Sequence, residues 1–162
     1  MLVLDVDGVL TDGRIIYDEF GDELKCFDVQ DGAGIALWHQ QGLKTAIISG
    51  RKAKLVARRA KELRVHQVIQ KAADKRKAFE IVLKRLRVKP EEACVIGDDL
   101  MELPMLRRAG LAVAVANAVA EVKAAAHYVT RHSGGRGAVR ETIELILTVQ
   151  LRWDSIVARH SS

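Results

Sequence analysis

The chain opens on Leu2-Val3-Leu4-Asp5-Val6-Asp7-Gly8-Val9-Leu10-Thr11-Asp12-Gly13, and no other segment constrains the fold as tightly. Its apolar run, too short for a helix and rich in Leu and Val, predicts a buried parallel strand. Two carboxylates one residue apart end the run, and a glycine-punctuated loop follows. In an open α/β sheet, ligands bind beyond the carboxyl ends of the strands, so both acids are placed toward a site. Anions this close repel each other unless a cation or a shared proton relieves them. A divalent metal is the economical relief, and hard oxygen donors at a phosphate site favour Mg²⁺. An isolated Asp-x-Asp is read equally well as a loop cap, so the rest of the chain has to decide.

Strand and helix patterns alternate to the end. Short apolar runs fall at 2–6, 45–48, 68–69, 93–96, 112–115 and 128–129. Helix-period segments lie between them near 31–41, 53–63, 75–86, 100–109 and 119–124, with a longer one at 138–151. Strands separated by helices of this length imply right-handed crossovers and a mostly parallel sheet covered on both faces. One stretch breaks the rhythm. Ile15-Ile16-Tyr17, a polar turn at 18–23, and Leu24-Lys25-Cys26-Phe27 predict a hairpin that could fold over the site as a flap. Residues 1–150 read as a single domain with the flap at about 14–28, and 151–162 as a polar, loose tail. With only four residues before Asp5 the first strand is short, and a start upstream stays open.

Composition narrows the possible functions. The 162 residues suit one domain with a full core, and no apolar stretch approaches the length of a membrane span. No signal-peptide pattern precedes Asp5, which points to the cytoplasm. Cys26 and Cys94 are too few for a disulfide framework, and Cys94 lies in an apolar run as a small hydrophobe. The five histidines lack metal-ligand spacing. The net charge of +5 invites a nucleic-acid reading, but aromatic content of 4% leaves no stacking platform for single strands. The basic residues sit in amphipathic segments at 51–64 and 71–89 and read as solvated helix faces that attract anionic substrates.

Three further strand or helix ends carry chemistry. Ser49-Gly50-Arg51 follows the strand at 45–48, with a hydroxyl for phosphate oxygens and a glycine that lets the backbone approach closely. Asp74-Lys75 opens the next helix, where Asp suits an N-cap and Lys a point charge on phosphate. Gly97-Asp98-Asp99 ends the strand at 93–96, with Asp98 the metal ligand and Asp99 orienting it or Lys75 from behind.

In this order, Asp-x-Asp, Ser, Lys and Gly-Asp-Asp resemble the haloacid dehalogenase superfamily over essentially the whole chain. The resemblance implies an α/β, Rossmann-like, mostly parallel sheet with helices on both faces, a hairpin flap after the first strand, and catalysis of phosphate ester hydrolysis. It makes Asp5 the nucleophile and Asp7 the general acid and base, with Ser49 and Lys75 holding the transferring phosphoryl group. Mg²⁺ would be held by the Asp5 and Asp98 carboxylates and the backbone carbonyl of Asp7. The gaps between Asp7 and Ser49, and between Lys75 and Asp98, are too short for a cap domain. Open sites of this kind either act on macromolecules or borrow cover from a neighbouring subunit.

Five segments resemble one family more closely: DVDGVLTDG, 27–35, SGRKAKLV, GDDL, and 128–131 followed by GGRGAVRE. That family is the 3-deoxy-D-manno-octulosonate 8-phosphate phosphatases of lipopolysaccharide sugar synthesis. It implies a homotetramer with shared sites and a sugar acid phosphate as substrate. Substrate contacts would come from Asp28, Val29, Gln30, Asp31, Gly32, Gly50, Arg51 and Arg59, with Arg136 at the mouth of an adjacent site. Gln30 stands where the family usually has Arg, Ala36 where it has a polar or basic residue, Glu102 where it has Asp, and Asn117 where it has Asp. These departures keep a nine-carbon 2-keto sugar acid 9-phosphate open as substrate. A non-catalytic binding module on the same scaffold is the competing class, and the intact acid set speaks against it.

Overall fold

A computed structural model describes residues 1–160. Six parallel strands form the sheet: β1 (Leu2–Leu4), β4 (Thr45–Ile48), β5 (Gln67–Ile69), β6 (Cys94–Gly97), β7 (Leu111–Ala114) and β8 (Tyr128–Val129). Their order is β5-β4-β1-β6-β7-β8, so β1 is central and pairs with β4 on one side and β6 on the other. The chain winds outward from β1 to β5, then returns across the sheet to β6 and winds outward again. A crevice opens where the winding reverses, at the carboxyl ends of β1, β4 and β6. Leu2, Val3, Leu4, Ile48, Val95 and Ile96 are completely buried, as helices on both faces require.

The helices are α1 (Val29–Gln40), α2 (Lys54–Glu62), α3 (Lys75–Leu86), α4 (Leu103–Leu106), α5 (Ala120–Ala125), α6 (Ala138–Val149) and α7 (Trp153–His160). Asp28 caps α1 by accepting from the Gln30 and Asp31 amides, and Asp74 caps α3 by accepting from the Lys77 amide. The single helix expected at 100–109 is instead a 3₁₀ turn, Leu100–Glu102, followed by the short α4. Pro104 explains the break: it lacks an N–H, so it sits in the first turn of a helix and not inside one.

The hairpin is present as β2 (Ile16–Tyr17) and β3 (Glu23–Leu24), paired antiparallel. Among the described residues neither gap holds a further domain, so the site is capless. The tail departs from expectation. Instead of a loose segment, α7 packs on α6, with Ile156 buried and the Trp153 ring 5.1 Å from the Arg140 guanidinium carbon. Ser161 and Ser162 lie outside the described residues. Cys94 is buried as expected, and burial pushes its thiol up to about 12; Cys26 is exposed.

Candidate active site

The strand ends bring Asp5, Ser49, Lys75 and Asp98 to one cavity of about 180 Å³, which Asp7, Arg51, Asp99 and Glu102 also line. A larger hollow of about 560 Å³, lined by Met1, Trp38, Lys44 and Cys94 among others, collects none of these strand-end acids. At the floor, the Lys75 ammonium donates to Asp5 Oδ1 at 2.7 Å and to Glu102 Oε1. All three side chains are less than one-tenth exposed. Burial opposes the charge on Lys75, but Asp5 and Glu102 outweigh it and hold the ammonium above its ordinary range. Burial raises Asp5 to about 6, partly countered by Lys75. Asp98 rises to about 7, through burial first and then repulsion from Asp5 and Glu102.

Among the described residues no cation pairs with the Asp98 carboxylate. Asp5, Asp98 and Glu102 each offer an oxygen, and these oxygens lie within 4.8 Å of one another. Three hard anionic donors, with one cation shared between only two of them, fit a small divalent cation. Two glycines make the convergence possible. Gly8, at φ +98°, lets the β1 loop pass where a Cβ would stand 2.0 Å from Asp98 Oδ2. Gly97 makes room for Glu102, whose Cβ would lie 2.6 Å from a side chain there.

Asp7 turns the other way, to the rim. Its carboxylate pairs with Lys25 and lies 3.7 Å from Arg51 Nη1. Lys25 also reaches Glu23 Oε1 at 3.1 Å, and Arg51 Nη2 reaches the same oxygen at 2.8 Å. The hairpin therefore closes on the site of its own chain. The Ser49 hydroxyl faces inward and accepts from the Arg51 amide at 3.3 Å, while its own amide is held by Ile69 O.

Several expected residues lie elsewhere. Asp99 does not orient Asp98 or Lys75: its carboxylate accepts from the Leu100 amide, and Glu102 occupies the position behind Lys75. Asp31 is 1% exposed and accepts from the Arg140 amide at 2.8 Å and the Gly137 amide at 3.4 Å. It thereby caps the start of α6 and has no free face for a substrate. Burial raises its carboxyl to about 6. Gly32 is buried against the Arg59 guanidinium, which lies 5.7 Å from the Phe27 ring centroid and locks α2 to α1. Asp28 is committed to its cap, and the exposed Val29 and Gln30 do not line the cavity. Arg136 is exposed, 3.8 Å from Asp12. Of the expected substrate contacts, only Gly50 and Arg51 line the cavity.

The sequence reading missed Glu102 and Lys25 as site residues. Glu102 stood out only as an unusual acid in an otherwise regular pattern, although a glycine five residues earlier signals that its side chain needs space. Lys25 carried no signal, because its contact crosses the hairpin.

A family model described as haloacid dehalogenase-like hydrolase matches residues 62–143. The 3-deoxy-D-manno-octulosonate 8-phosphate phosphatase of Escherichia coli K12 is 46% identical over 154 residues, covering 95% of this chain and 82% of that one. The Moraxella catarrhalis enzyme of the same name, solved with a magnesium ion, a phosphate ion and a KDO molecule, superposes with a TM-score of 0.95 at 43% identity. That match covers 98% of this chain and 91% of the other. The cobalt-bound Haemophilus influenzae phosphatase gives 0.91 at 36% identity, with 94% and 89% covered. The chain thus belongs to the haloacid dehalogenase-like hydrolases and, among them, to the 3-deoxy-D-manno-octulosonate 8-phosphate phosphatase family.

Proposed function

We propose that the chain is a Mg²⁺-dependent phosphomonoesterase that hydrolyses 3-deoxy-D-manno-octulosonate 8-phosphate to the free sugar acid and phosphate. One observation carries the reading: a buried carboxylate, Asp5, held by a buried ammonium beside two further acids at a switch point of the sheet. The Asp5 carboxylate attacks phosphorus as the bond to the sugar oxygen breaks, and Asp7 gives its proton to the leaving alkoxide. Asp7 then takes a proton from water, which attacks the aspartyl-phosphate, releases phosphate and restores Asp5. Ser49 and Lys75 hold the phosphoryl oxygens, and Glu102 fixes Lys75 against Asp5. Bound Mg²⁺, held by Asp5, Asp98 and the Asp7 carbonyl, would offset the repulsion between anionic nucleophile and anionic substrate.

Cover for the open site comes from self-association, as a homotetramer with shared sites. The hairpin supports this, because it exposes Ile15, Tyr17, Phe20 and Leu24, an apolar face that a second copy would bury. No helix among the described residues is long and apolar enough to cross a membrane, and we place the enzyme in the cytoplasm.

The deciding experiment is phosphate release from 3-deoxy-D-manno-octulosonate 8-phosphate, with and without Mg²⁺, for wild type and Asp5→Asn. The substitution is expected to slow turnover on the order of a thousandfold or more. Faster turnover of a nine-carbon 2-keto sugar acid 9-phosphate would move the substrate assignment, in keeping with Gln30 at the start of α1. No metal-dependent hydrolysis of any phosphate ester would leave a binding module.

A further inference from the structure

We propose that Lys25 and Arg51 form a two-cation subsite for an anionic group of the substrate, and that Glu23 fills it as a stand-in while the site is empty. The inference rests on the phosphatase reading and adds to Arg51 two residues that the motifs do not contain, Lys25 and Glu23.

Glu23 Oε1 lies between the two cations, 3.1 Å from Lys25 Nζ and 2.8 Å from Arg51 Nη2. Lys25 is only 1% exposed at its side chain, so its charge is aimed inward. A buried ammonium needs anionic partners; of the two here, Asp7 lines the reaction cavity, and Glu23 pairs with Arg51, which lines it as well. The arrangement nonetheless leaves bonding capacity unused. Arg51 Nη1 is buried without a hydrogen-bond partner, 3.7 Å from Asp7 and too far to donate to it. Glu23 Oε1 is paired by charge but sits outside hydrogen-bonding geometry. A carboxylate held mainly by charge can be exchanged for an anion that completes the donors' geometry.

The position of Glu23 makes it replaceable. It belongs to a two-residue strand, whereas Arg51 follows a strand of the main sheet. The Glu23 carboxylate can leave by rotation about its own side-chain bonds, with the hairpin and its apolar face against a second copy unmoved. Lys25 lies on the same arm and keeps Asp7 as its second partner, so the cation can stay when the anion exchanges. Burial alone would push the Glu23 carboxyl up, but Lys25 and Arg51 outweigh it and hold it below the usual range. It is thus a competing anion at neutral pH.

A phosphoryl group and a sugar carboxylate share the chemistry that this subsite recognises, and two substrates separate them. The full chain with Mg²⁺ is assayed on 3-deoxy-D-manno-octulosonate 8-phosphate and on p-nitrophenyl phosphate, with inorganic phosphate as inhibitor. Glu23→Gln removes the competing charge and is expected to lower KM by about 3- to 10-fold, whereas Lys25→Met is expected to raise it by about 10-fold or more. Lys25→Arg keeps the charge and should recover most of the loss. Opposite shifts confined to the sugar acid assign the subsite to the carboxylate. Opposite shifts on both substrates and on phosphate inhibition assign it to the phosphoryl group. If Glu23→Gln raises KM as Lys25→Met does, or moves nothing, the proposal is overturned. Loss of the phosphatase reading would be recognised separately, by a wild type that turns over neither ester. Calorimetric binding of inorganic phosphate and of the free sugar acid, 3-deoxy-D-manno-octulosonate, to the same variants then decides the subsite without turnover, by the same opposite signs on one ligand or both.

Discussion

The floor and the rim of the site are built by different means. Asp5, Lys75 and Glu102 are each less than one-tenth exposed and hang from elements fixed by the core. Asp7, Glu23, Lys25 and Arg51 form an equally charged cluster, yet one side of it stands on strands of two residues with mostly exposed apolar neighbours. The floor geometry is set by burial and is in place before a substrate arrives. The rim geometry is set by ion pairs, which exchange partners readily. This contrast separates two kinetic effects: floor substitutions should act on kcat, and substitutions of Glu23, Lys25 or Arg51 on KM. Asp7, the proton carrier that stands at the rim, belongs with the floor.

Lys75→Met strikes the floor hardest. It removes the cation between two buried acids and the donor on the phosphoryl oxygens, and kcat should fall by about 100- to 1000-fold. Without metal the variant should also lose about 3–5 kcal/mol of stability, as breaking a buried ion pair does, with Mg²⁺ restoring part of it. Steady-state kinetics and thermal melts check both. A change in KM alone would break the division between floor and rim.

Behind the rim, two carboxylates tie the glycine-rich loop to the start of α6, with opposite pH behaviour. Glu141 is pushed up by burial, but the amides of Arg131 and His132 and the Tyr128 hydroxyl outweigh that and hold it at about 2. Its contribution is complete above the ordinary carboxylate range and is lost as pH falls toward 2. Glu141→Gln should therefore cost about 2–3 kcal/mol at pH 7, narrowing in acid. Asp31, raised to about 6, behaves in reverse: its contribution is full below pH 4 and is lost as pH rises through 6. The cost of Asp31→Asn should thus be smallest above pH 6. Melting temperatures from pH 3 to 8 check both, and parallel curves would refute the assignment.

Most of the floor was legible in the sequence, Glu102 excepted, whereas the hairpin's side of the rim, Glu23 and Lys25, was not, for a physical reason. Asp5, Ser49, Lys75 and Asp98 each follow a strand or open a helix whose periodicity announces it, and strand ends in such a sheet face one crevice. Strands 45–48 and 128–129 and helix 75–86 match the structure residue for residue. Asp31 reads equally well as a substrate contact until Arg140, 109 residues later, claims its carboxylate. Lys25 pairs across 18 residues through a hairpin whose strands are too short to impose a pattern. The helix at Trp153–His160 escaped notice because its apolar stripe is only three residues, Trp153, Ile156 and Val157, set in a short polar tail.

Glu102 tests how much of the floor is shape and how much is charge. Glu102→Gln keeps the volume and one acceptor but removes an anion from the trio of acids. Apparent Mg²⁺ affinity should fall by about 10- to 100-fold, the usual effect of losing a group that orients metal ligands. Glu102→Asp, which keeps the charge on a shorter stem, sharpens the result. If affinity recovers, charge matters most; if it does not, the reach to Lys75 does. Metal titrations of activity separate the cases.

Arg136→Ala should have the smallest effect and bears most directly on assembly. Within one chain the Arg136 side chain is largely exposed and, among the described residues, pairs only with Asp12, at 3.8 Å, an ion pair worth about 0–1 kcal/mol. The melting temperature should therefore hardly move. If Arg136 guards the mouth of a neighbouring site, KM should rise by about 3- to 10-fold in the assembled enzyme, as expected when one exposed cation leaves an anionic substrate. Dilution supplies the second arm, since dissociated wild-type subunits would lose the same contribution. Mass photometry alongside kinetics follows both. A KM unchanged by Arg136→Ala, or a monomer with full activity, would return the Arg136 loop to a purely structural role and leave the Lys25–Arg51 rim to select the substrate alone.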